Sequence, residues 1–171
     1  MVVIQVVKTI ASTLGIIALA DFVSGLVHWA EDTYGSVDTP ILGKLVIAPN
    51  LRHHAHPREF LQKNYWQSSW DLWLIGALIL LAAWALGAFG WDVVLFVTLA
   101  VNANQFHKWT HQNREENGPL VWALQRAQLL PTQAHHAGHH AGSKNSHYCT
   151  ITNFVNPLLD ALDAWRRIER A

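Results

Sequence analysis

The sequence predicts an all-α integral membrane protein with about three transmembrane helices, further interfacial amphipathic helices and a histidine cluster at one membrane face. Composition is the first observation: 51% of the 171 residues are hydrophobic and only 14% are charged, whereas soluble domains average about 25% charged residues. The second is that three apolar stretches approach the roughly 20 residues that cross a hydrocarbon core. The alternative is a soluble bundle of very apolar helices.

The three predicted spans are residues 9–30, 70–89 and 93–109. The first span contains a charged residue, Asp21, and the second is free of charge after its first two positions. Tryptophans lie near the predicted ends, where aromatic belts form at membrane surfaces. These tryptophans are Trp70, Trp73, Trp91 and Trp109.

Three spans place residues 31–69 and the chain beyond about residue 107 on the same side of the membrane. That side holds all of the 12 Lys and Arg residues except Lys8. Because an excess of Lys and Arg marks cytoplasmic loops, the histidine-rich segments 31–69 and 107–149 are expected to face the cytoplasm. We treat residues 1–171 as a single domain, and all eleven histidines fall on this one side.

The remaining segments are amphipathic. Residues 119–130 predict a helix that lies at the membrane interface, and residues 150–168 predict a short amphipathic helix after Pro157. The net charge is zero, so no basic field indicates a nucleic-acid partner. Cys149 is the only cysteine, which excludes an internal disulfide and a thiolate metal cluster.

Two helical spacings place metal-binding side chains on one face. His107 and His111 are four residues apart, so both imidazoles lie one turn apart on the same helix face. Asn104 shares that face. His28 and Asp32 have the same spacing. Asp21 lies two turns before His28, and an intramembrane carboxylate usually marks a functional site. It would either orient the His28 imidazole or form a hydrogen bond to a nearby polar group in helix packing.

Adjacent histidines indicate two metal ions better than one. In the stretches RHH and AHHAGHH, one member of a pair points about 100° away from its neighbour on a helix. One histidine can then serve a second metal. The histidines concerned are His53, His54, His136, His139 and His140. No H-E-x-x-H motif is present, and imidazole sites without thiolates suit iron or copper. A purified preparation could also acquire zinc.

Motifs along most of the chain resemble a known family. They are DFVSGLVHWAEDTYG, RHHAHP followed by NYWQ, NQFHKWTH, LQRAQLLP, HHAGHH and HYCTITNFVNPLLD. In order and spacing these resemble the lipid desaturase family that includes plasmanylethanolamine desaturase, the bacterial light-response protein CarF and the plant plastid trans-3 palmitoyl-phosphatidylglycerol desaturase. The resemblance runs from Asp21 to about Asp160.

The resemblance implies a set of metal ligands. These are His28, His53, His54, His107, His111, His136, His139 and His140. His135 or Asp32 would complete the set. The chain departs from the family pattern at His56, and His147 has no assigned position in it; both are secondary candidates, as are Asp21 and Asn104.

The activity implied is that of a membrane-bound, di-iron, O2-dependent lipid desaturase. Two iron ions would be the cofactor, dioxygen the co-substrate, and a cytochrome b5 or ferredoxin type protein the external electron donor. The favoured substrate is the alkyl ether chain of a plasmanyl phospholipid, which becomes a vinyl ether. Alternatives are an acyl chain desaturated near its carboxyl end, a lipid hydroxylase on the same metal chemistry, and a non-catalytic membrane protein that binds metal or senses pH.

Overall fold

The computed structural model describes residues 1–141 and 145–170, and every regular element within them is helical, which confirms the all-α prediction. The helices are α1 (Val2–Tyr34), α2 (Ala48–Ala55), α3 (Tyr65–Ala85), α4 (Trp91–Val101), α5 (Ala103–His111), α6 (Arg114–Arg126), α7 (Gln133–His140), α8 (Val155–Ala161) and α9 (Ala164–Glu169). A π-helical turn, Gly43–Ile47, leads into α2, and a 3-10 turn, Glu59–Gln62, follows it.

Two helices are long and apolar enough to cross a membrane. They are α1, with 33 residues, and α3, with 21 residues. The most apolar stretch of α1 buries none of its residues within the protein, which fits a helix whose outer surface is covered by lipid. Helix α3, the second predicted span, begins earlier than predicted because Asn64 and Gln67 form a reciprocal capping box at its start.

The predicted third span is divided into two helices. The chain leaves helical geometry at Asn102, between α4 and α5. The Asn102 side chain donates to the Thr98 carbonyl at 2.8 Å and accepts from the Tyr65 hydroxyl at 2.9 Å. The 11 residues of α4 extend about 17 Å at about 1.5 Å per residue, which is shorter than the roughly 30 Å hydrocarbon core. Two described helices, rather than the expected three, are therefore individually long enough to span.

Packing places the end of α1 beside the C-terminal part of the chain. Helix α4 packs against both α1 and α3, and Gly76 lets α3 approach Val97 and Val101 closely because a Cβ there would collide with both. Near the C-terminal end of α1, Trp29 packs with Tyr148, Cys149 and Trp165 in a buried cluster. This cluster brings the irregular segment before α8 against the half of α1 that carries His28.

The shorter helices differ in their bounds from the expected amphipathic segments. Helix α6 begins at a capping box between Asn113 and Glu116, bends at Gly118 with φ 69°, and ends at Arg126. The segment 150–168 holds two helices, α8 and α9, instead of one. Asp163 separates them with φ 49°, a left-handed conformation that interrupts a helix.

Candidate metal centre

The eight histidines expected to be ligands converge at one end of the helices, and Asp32 joins them. Their donor atoms form two neighbouring groups, and within each group all donor atoms lie within 4.8 Å of one another. The five-imidazole group consists of His53, His107, His111, His136 and His140. The carboxylate group consists of His28, Asp32, His54 and His139.

His107 lies at the centre of the five-imidazole group. Its Nε2 atom lies 2.8 Å from the Nε2 of His136 and 3.2 Å from those of His53 and His111. The Nε2 of His140 lies 3.2 Å from that of His136. One Nε2 atom carries at most one hydrogen, so a single hydrogen bond cannot satisfy three such neighbours. The arrangement fits a shared cation.

The distances between these nitrogens are those expected when several of them bind one ion. Nitrogens bonded at about 2.1 Å to one ion lie about 3.0 Å apart at right angles and about 3.4 Å apart in a tetrahedron. The observed separations of 2.8 to 3.2 Å lie near both values, so they are compatible with nitrogens that surround one ion. Five imidazoles at this spacing suit an ion with more than four ligands, whereas structural zinc is almost always tetrahedral.

Burial keeps the five-imidazole group neutral, as a metal ligand must be. Desolvation, followed by the repulsion of neighbouring imidazoles, lowers the pKa of His53 to about 2, of His140 to about 3 and of His111 to about 4. Phe60 adds an apolar cover, with its ring centroid 5.2 Å from that of His53 and 5.5 Å from that of His107. Protons therefore do not compete with a metal for these nitrogens at neutral pH.

The carboxylate group is arranged around Asp32. Its Oδ1 lies 2.9 Å from the Nε2 of His54, and its Oδ2 lies 3.1 Å from the Nε2 of His139 and 3.8 Å from the Nε2 of His28. The Nδ2 of Asn50 donates to Oδ1 at 2.6 Å. This contact fixes the carboxylate plane relative to the three imidazoles.

Two backbone carbonyls set the orientation of the carboxylate group. The Nδ1–H of His28 donates to the Tyr148 carbonyl at 3.1 Å, and the Nδ1–H of His139 donates to the Ser146 carbonyl at 3.0 Å. In a neutral imidazole the proton is then on Nδ1, and Nε2 presents a lone pair. Both lone pairs face Asp32, and neither Nε2 has a hydrogen-bond partner among the described residues. Lone pairs facing a carboxylate need a cation between them.

Sequence reasoning missed the residues that orient these ligands. Asn50 lies in the first turn of α2 and is not itself part of the histidine pattern. Ser146 and Tyr148 contribute backbone oxygens, which leave no signal in side-chain type. The His28 contact joins residues 120 positions apart. Only the position of Asn50, three residues before the histidine pair, could have suggested a link.

The other secondary candidates lie outside both groups. Asp21 does not contact His28 directly and makes a packing hydrogen bond, the alternative use for this carboxylate: it accepts from the backbone N–H of Ile151 and Thr152 at 2.9 and 3.1 Å, and from the Thr152 hydroxyl. The cause is that residues 151 and 152 pass directly over α1 at this point. Asn104 donates instead to the Ser68 carbonyl and ties α5 to α3.

Three histidines are also placed away from the two groups. His56 is exposed beyond the end of α2. His135 and His147 pack on each other with ring centroids 4.4 Å apart. His135 accepts from Asn156 at 3.2 Å, whereas the His147 ring lies 3.7 Å from Asp160. On helix α7, His135 projects away from its neighbour His136, so Asp32 rather than His135 completes the donor set.

Comparison with known proteins identifies the family. A family model described as a lipid desaturase domain matches residues 17–171. The chain belongs to the lipid desaturase family. This confirms the resemblance carried by the motifs, and the paired donor groups are the feature of this lipid desaturase domain that suits a redox metal.

Curated relatives show the same family with different names. Mouse plasmanylethanolamine desaturase 1 is 33% identical over 91% of this chain and 63% of that protein. The plasmanylethanolamine desaturase of Myxococcus xanthus is 33% identical over 94% of the chain and 58% of that protein. Arabidopsis fatty acid desaturase 4, chloroplastic, is 31% identical over 88% of the chain and 47% of that protein. The match thus spans about half to two thirds of these relatives. No solved structure matches the chain.

Proposed function

We propose that this protein is a membrane-bound, O2-dependent lipid desaturase that uses two iron ions. The observation that carries the proposal is the pair of adjoining donor groups in a chain of the lipid desaturase family. Its favoured substrate is a plasmanyl phospholipid, whose alkyl ether becomes the vinyl ether of a plasmenyl phospholipid. The names of the mouse and Myxococcus relatives support this choice.

The donor chemistry supports iron in both groups. Eight imidazoles and one carboxylate, without any thiolate, suit iron and resist the oxidation that thiolates undergo. With both ions bound, the site would supply O2 activation, in which two hydrogens from the lipid, two further protons and two electrons from a donor protein convert O2 to two waters. The electrons would come from a separate protein, because the sequence has no flavin, haem or iron–sulfur motif. We propose a donor of the cytochrome b5 or ferredoxin type.

The protein's own residues orient the ligands and exclude water. His136 is 2% exposed and His139 is fully buried. The Tyr148 ring packs on one side of the carboxylate group, with centroids 5.6 Å from His28 and 4.8 Å from His139. Phe60 covers the five-imidazole group in the same way. A dry site limits side reactions of a strong oxidant.

The membrane setting follows from the same arrangement. Helices α1 and α3 would span the bilayer, and α4 with α5 would return the chain to the side of α2. The donor groups lie on that side, at the end of α1 that carries His28 and Asp32. We propose that this end faces the cytoplasm, because Lys and Arg concentrate beyond it. Carbons close to a lipid headgroup would then lie nearest the metals. All donors come from residues 28 to 140, which supports a single catalytic domain.

Lipid profiling tests the reaction. The gene is expressed in cells that make ether lipids but no vinyl ethers, and plasmanyl and plasmenyl species are compared by mass spectrometry. We expect a lipid lighter by two hydrogens with an acid-labile vinyl ether, and none with His107→Ala at equal membrane abundance. A product that gains oxygen would indicate a hydroxylase. Redox-silent binding of one zinc, with no lipid product under reducing conditions, would contradict the proposal.

The second candidate is desaturation of an acyl chain close to its carboxyl end. The relatives from Arabidopsis named as chloroplastic fatty acid desaturases favour it. It uses the same donor groups and again places the reacting carbons near the headgroup. In the lipid profile it predicts an unsaturated acyl chain, found after ester hydrolysis, with the ether lipids unchanged.

A further inference from the structure

The segment 146–152, which we call the orienting segment, is the feature that the proposed function does not use directly. It lies between α7 and α8 and has no regular secondary structure. Two of its carbonyls, those of Ser146 and Tyr148, accept the Nδ1–H of His139 and of His28. One short stretch of backbone thus sets two of the three imidazoles in the carboxylate group.

The intervening residues of the orienting segment bind side chains elsewhere. The backbone N–H of His147 donates to the Asp160 carboxylate at 3.3 Å. Asn156 pairs with Cys149 in both directions: its Oδ1 accepts the Cys149 N–H at 2.9 Å, and its Nδ2 donates to the Cys149 carbonyl at 2.7 Å. The carbonyls of Ser146 and Tyr148 therefore face the ligands, while the backbone of His147 and Cys149 is held by other side chains.

Asp21 holds the far end of the same segment. Its Oδ1 accepts from Ile151 and Thr152, and its Oδ2 from the Thr152 hydroxyl at 2.5 Å. Both Asp21 and Asn156 have 0% exposure. Buried side chains that satisfy several backbone N–H groups fix a loop strongly, because a buried N–H without a partner is costly.

Close approach to α1 completes this arrangement. Gly25 lies one turn before His28, and a Cβ at Gly25 would collide with the Cys149 side chain and crowd its backbone. His147 has φ 62°, a left-handed conformation that a non-glycine residue adopts only when its surroundings require it. The turn at His147 directs the Ser146 and Tyr148 carbonyls to the same side.

The five-imidazole group lacks this kind of backbone orientation in the described residues. The Nδ1 atoms of His53 and His140 are buried there without a hydrogen-bond partner. Its ring positions depend on imidazole packing and on Phe60. A disturbance of the orienting segment should therefore reach one donor group and leave the other in place.

We propose that Asp21 and Asn156 are positioning residues for the carboxylate group: through the orienting segment they fix the tautomer and direction of His28 and His139, and so set the affinity of the second metal ion alone. This inference rests on the proposed two-metal function. It assigns to Asp21 an effect on His28 that passes through backbone rather than through direct contact.

Chelator withdrawal of iron from the purified holoprotein tests the proposal. The variants are Asn156→Ala and Asp21→Asn, the second of which keeps the shape of the side chain but replaces an acceptor oxygen with a donor. Asn153→Ala is the matched control, because Asn153 is next to the segment and binds only the Gln128 side chain among the described contacts. Iron retained per chain is measured against chelator concentration.

We expect the two ions to separate in the variants. One ion should leave at a chelator concentration roughly 10- to 100-fold lower than in the wild type, the range seen when partners of metal ligands are lost, and the other ion should leave at the wild-type concentration. At a chelator concentration that removes one ion from Asn156→Ala, the added substitution His54→Ala should remove no further iron. The added substitution His53→Ala should instead leave almost no iron at that concentration. The Asn153→Ala curve should match the wild type.

Several outcomes would overturn the inference. Wild-type release of both ions from both variants would do so, and so would equal weakening of both ions, which a merely structural role predicts. Loss of helical circular dichroism together with both ions also counts against positioning. A wild-type protein that holds two irons but makes no desaturated lipid would overturn the proposed reaction and leave this inference standing, whereas a wild-type protein without metal would overturn both.

Discussion

The five-imidazole group takes its donors from α2, α5 and α7, whereas the carboxylate group takes its donors from α1, α2 and α7. In the first group, nitrogens crowd against nitrogens at 2.8 to 3.2 Å. In the second, three imidazoles surround an acid, and backbone carbonyls orient two of them. One group is defined by packing and the other by hydrogen bonding.

This difference bears on the charge of each site. Five neutral imidazoles leave the full positive charge of a bound ion in place, while Asp32 offsets one unit in the carboxylate group. An ion in a more negative donor set is easier to oxidise, since the oxidised ion gains more from a neighbouring carboxylate. The two ions of one site should consequently differ in reduction potential and in resistance to chelators.

The largest expected effect comes from removing the centre of the five-imidazole group. His107→Ala deletes the nitrogen that lies within 3.2 Å of three others. We expect product formation to be abolished and at least one ion to be lost, with the protein still in the membrane. Lipid mass spectrometry and iron analysis on membranes with matched protein amounts check this, and near-normal turnover would show that His107 is not a ligand.

Removal of the single acid in the donor set should have the next largest effect. Asp32→Asn keeps the shape but removes the charge between three imidazoles. We expect the affinity of the carboxylate group for iron to fall by more than the roughly 10- to 100-fold typical of losing an outer partner. The control is Asp38→Asn, because Asp38 is an exposed carboxylate six residues further along the chain. This variant should bind iron as the wild type does. Equal binding by both variants would remove the distinction between the groups.

The pH dependence of the metal-free protein should reveal the five-imidazole group. His53, His140 and His111 have a pKa lowered by burial from 6.5 to about 2, 3 and 4. As pH falls below 6.5, these imidazoles become protonated in the unfolded chain but stay neutral in the folded chain. The free energy of unfolding therefore decreases until pH reaches the lowered pKa values. We expect the melting temperature to fall by about 5 °C or more from pH 7 to pH 5.

Two comparisons sharpen that experiment. His53→Ala removes one of the imidazoles whose pKa burial lowers, so the melting temperature of this variant should depend less on pH than that of the wild type. The melting temperature of the holoprotein should also depend less on pH for as long as the metal stays bound, because bound ions exclude protons from the same nitrogens. A melting temperature that rises as pH falls from 7 to 5 would contradict the assigned direction.

The smallest effect is expected outside both groups. His56 is exposed past the end of α2, only two residues from His54. His56→Ala should retain iron and form product within about twofold of the wild type, since surface substitutions usually change stability by under about 0.5 kcal/mol. Loss of an ion in this variant would mean that the segment just after α2 contributes a further ligand.

Helical spacing anticipated much of the site. The adjacent pair His53 and His54 is divided between the two groups, and on α7 the neighbours His139 and His140 are divided in the same way. The four-residue spacings keep His107 with His111 and His28 with Asp32. A periodicity of 3.6 residues fixes which side chains share a face, so local sequence contains this information.

Contacts between distant segments were not predictable in this way. Which groups meet depends on how α7 docks against α5 and α1, and the orienting oxygens belong to backbone. The same limit explains Asp21, whose hydrogen-bond donor Ile151 lies 130 positions away. The break at Asn102 was missed because apolar residues on both sides make one continuous hydropathy signal, while the hydrogen bonds of a single side chain decide the geometry.

Helix α7 has a consequence for how the protein is made. The earlier helices supply three of the five imidazoles in one group and three of the four donors in the other. Each group therefore stays incomplete until the ribosome has passed His140 and α7 has docked. Iron loading would follow membrane insertion of α1 and α3 instead of guiding it, so cells short of iron would accumulate an inserted, metal-free precursor.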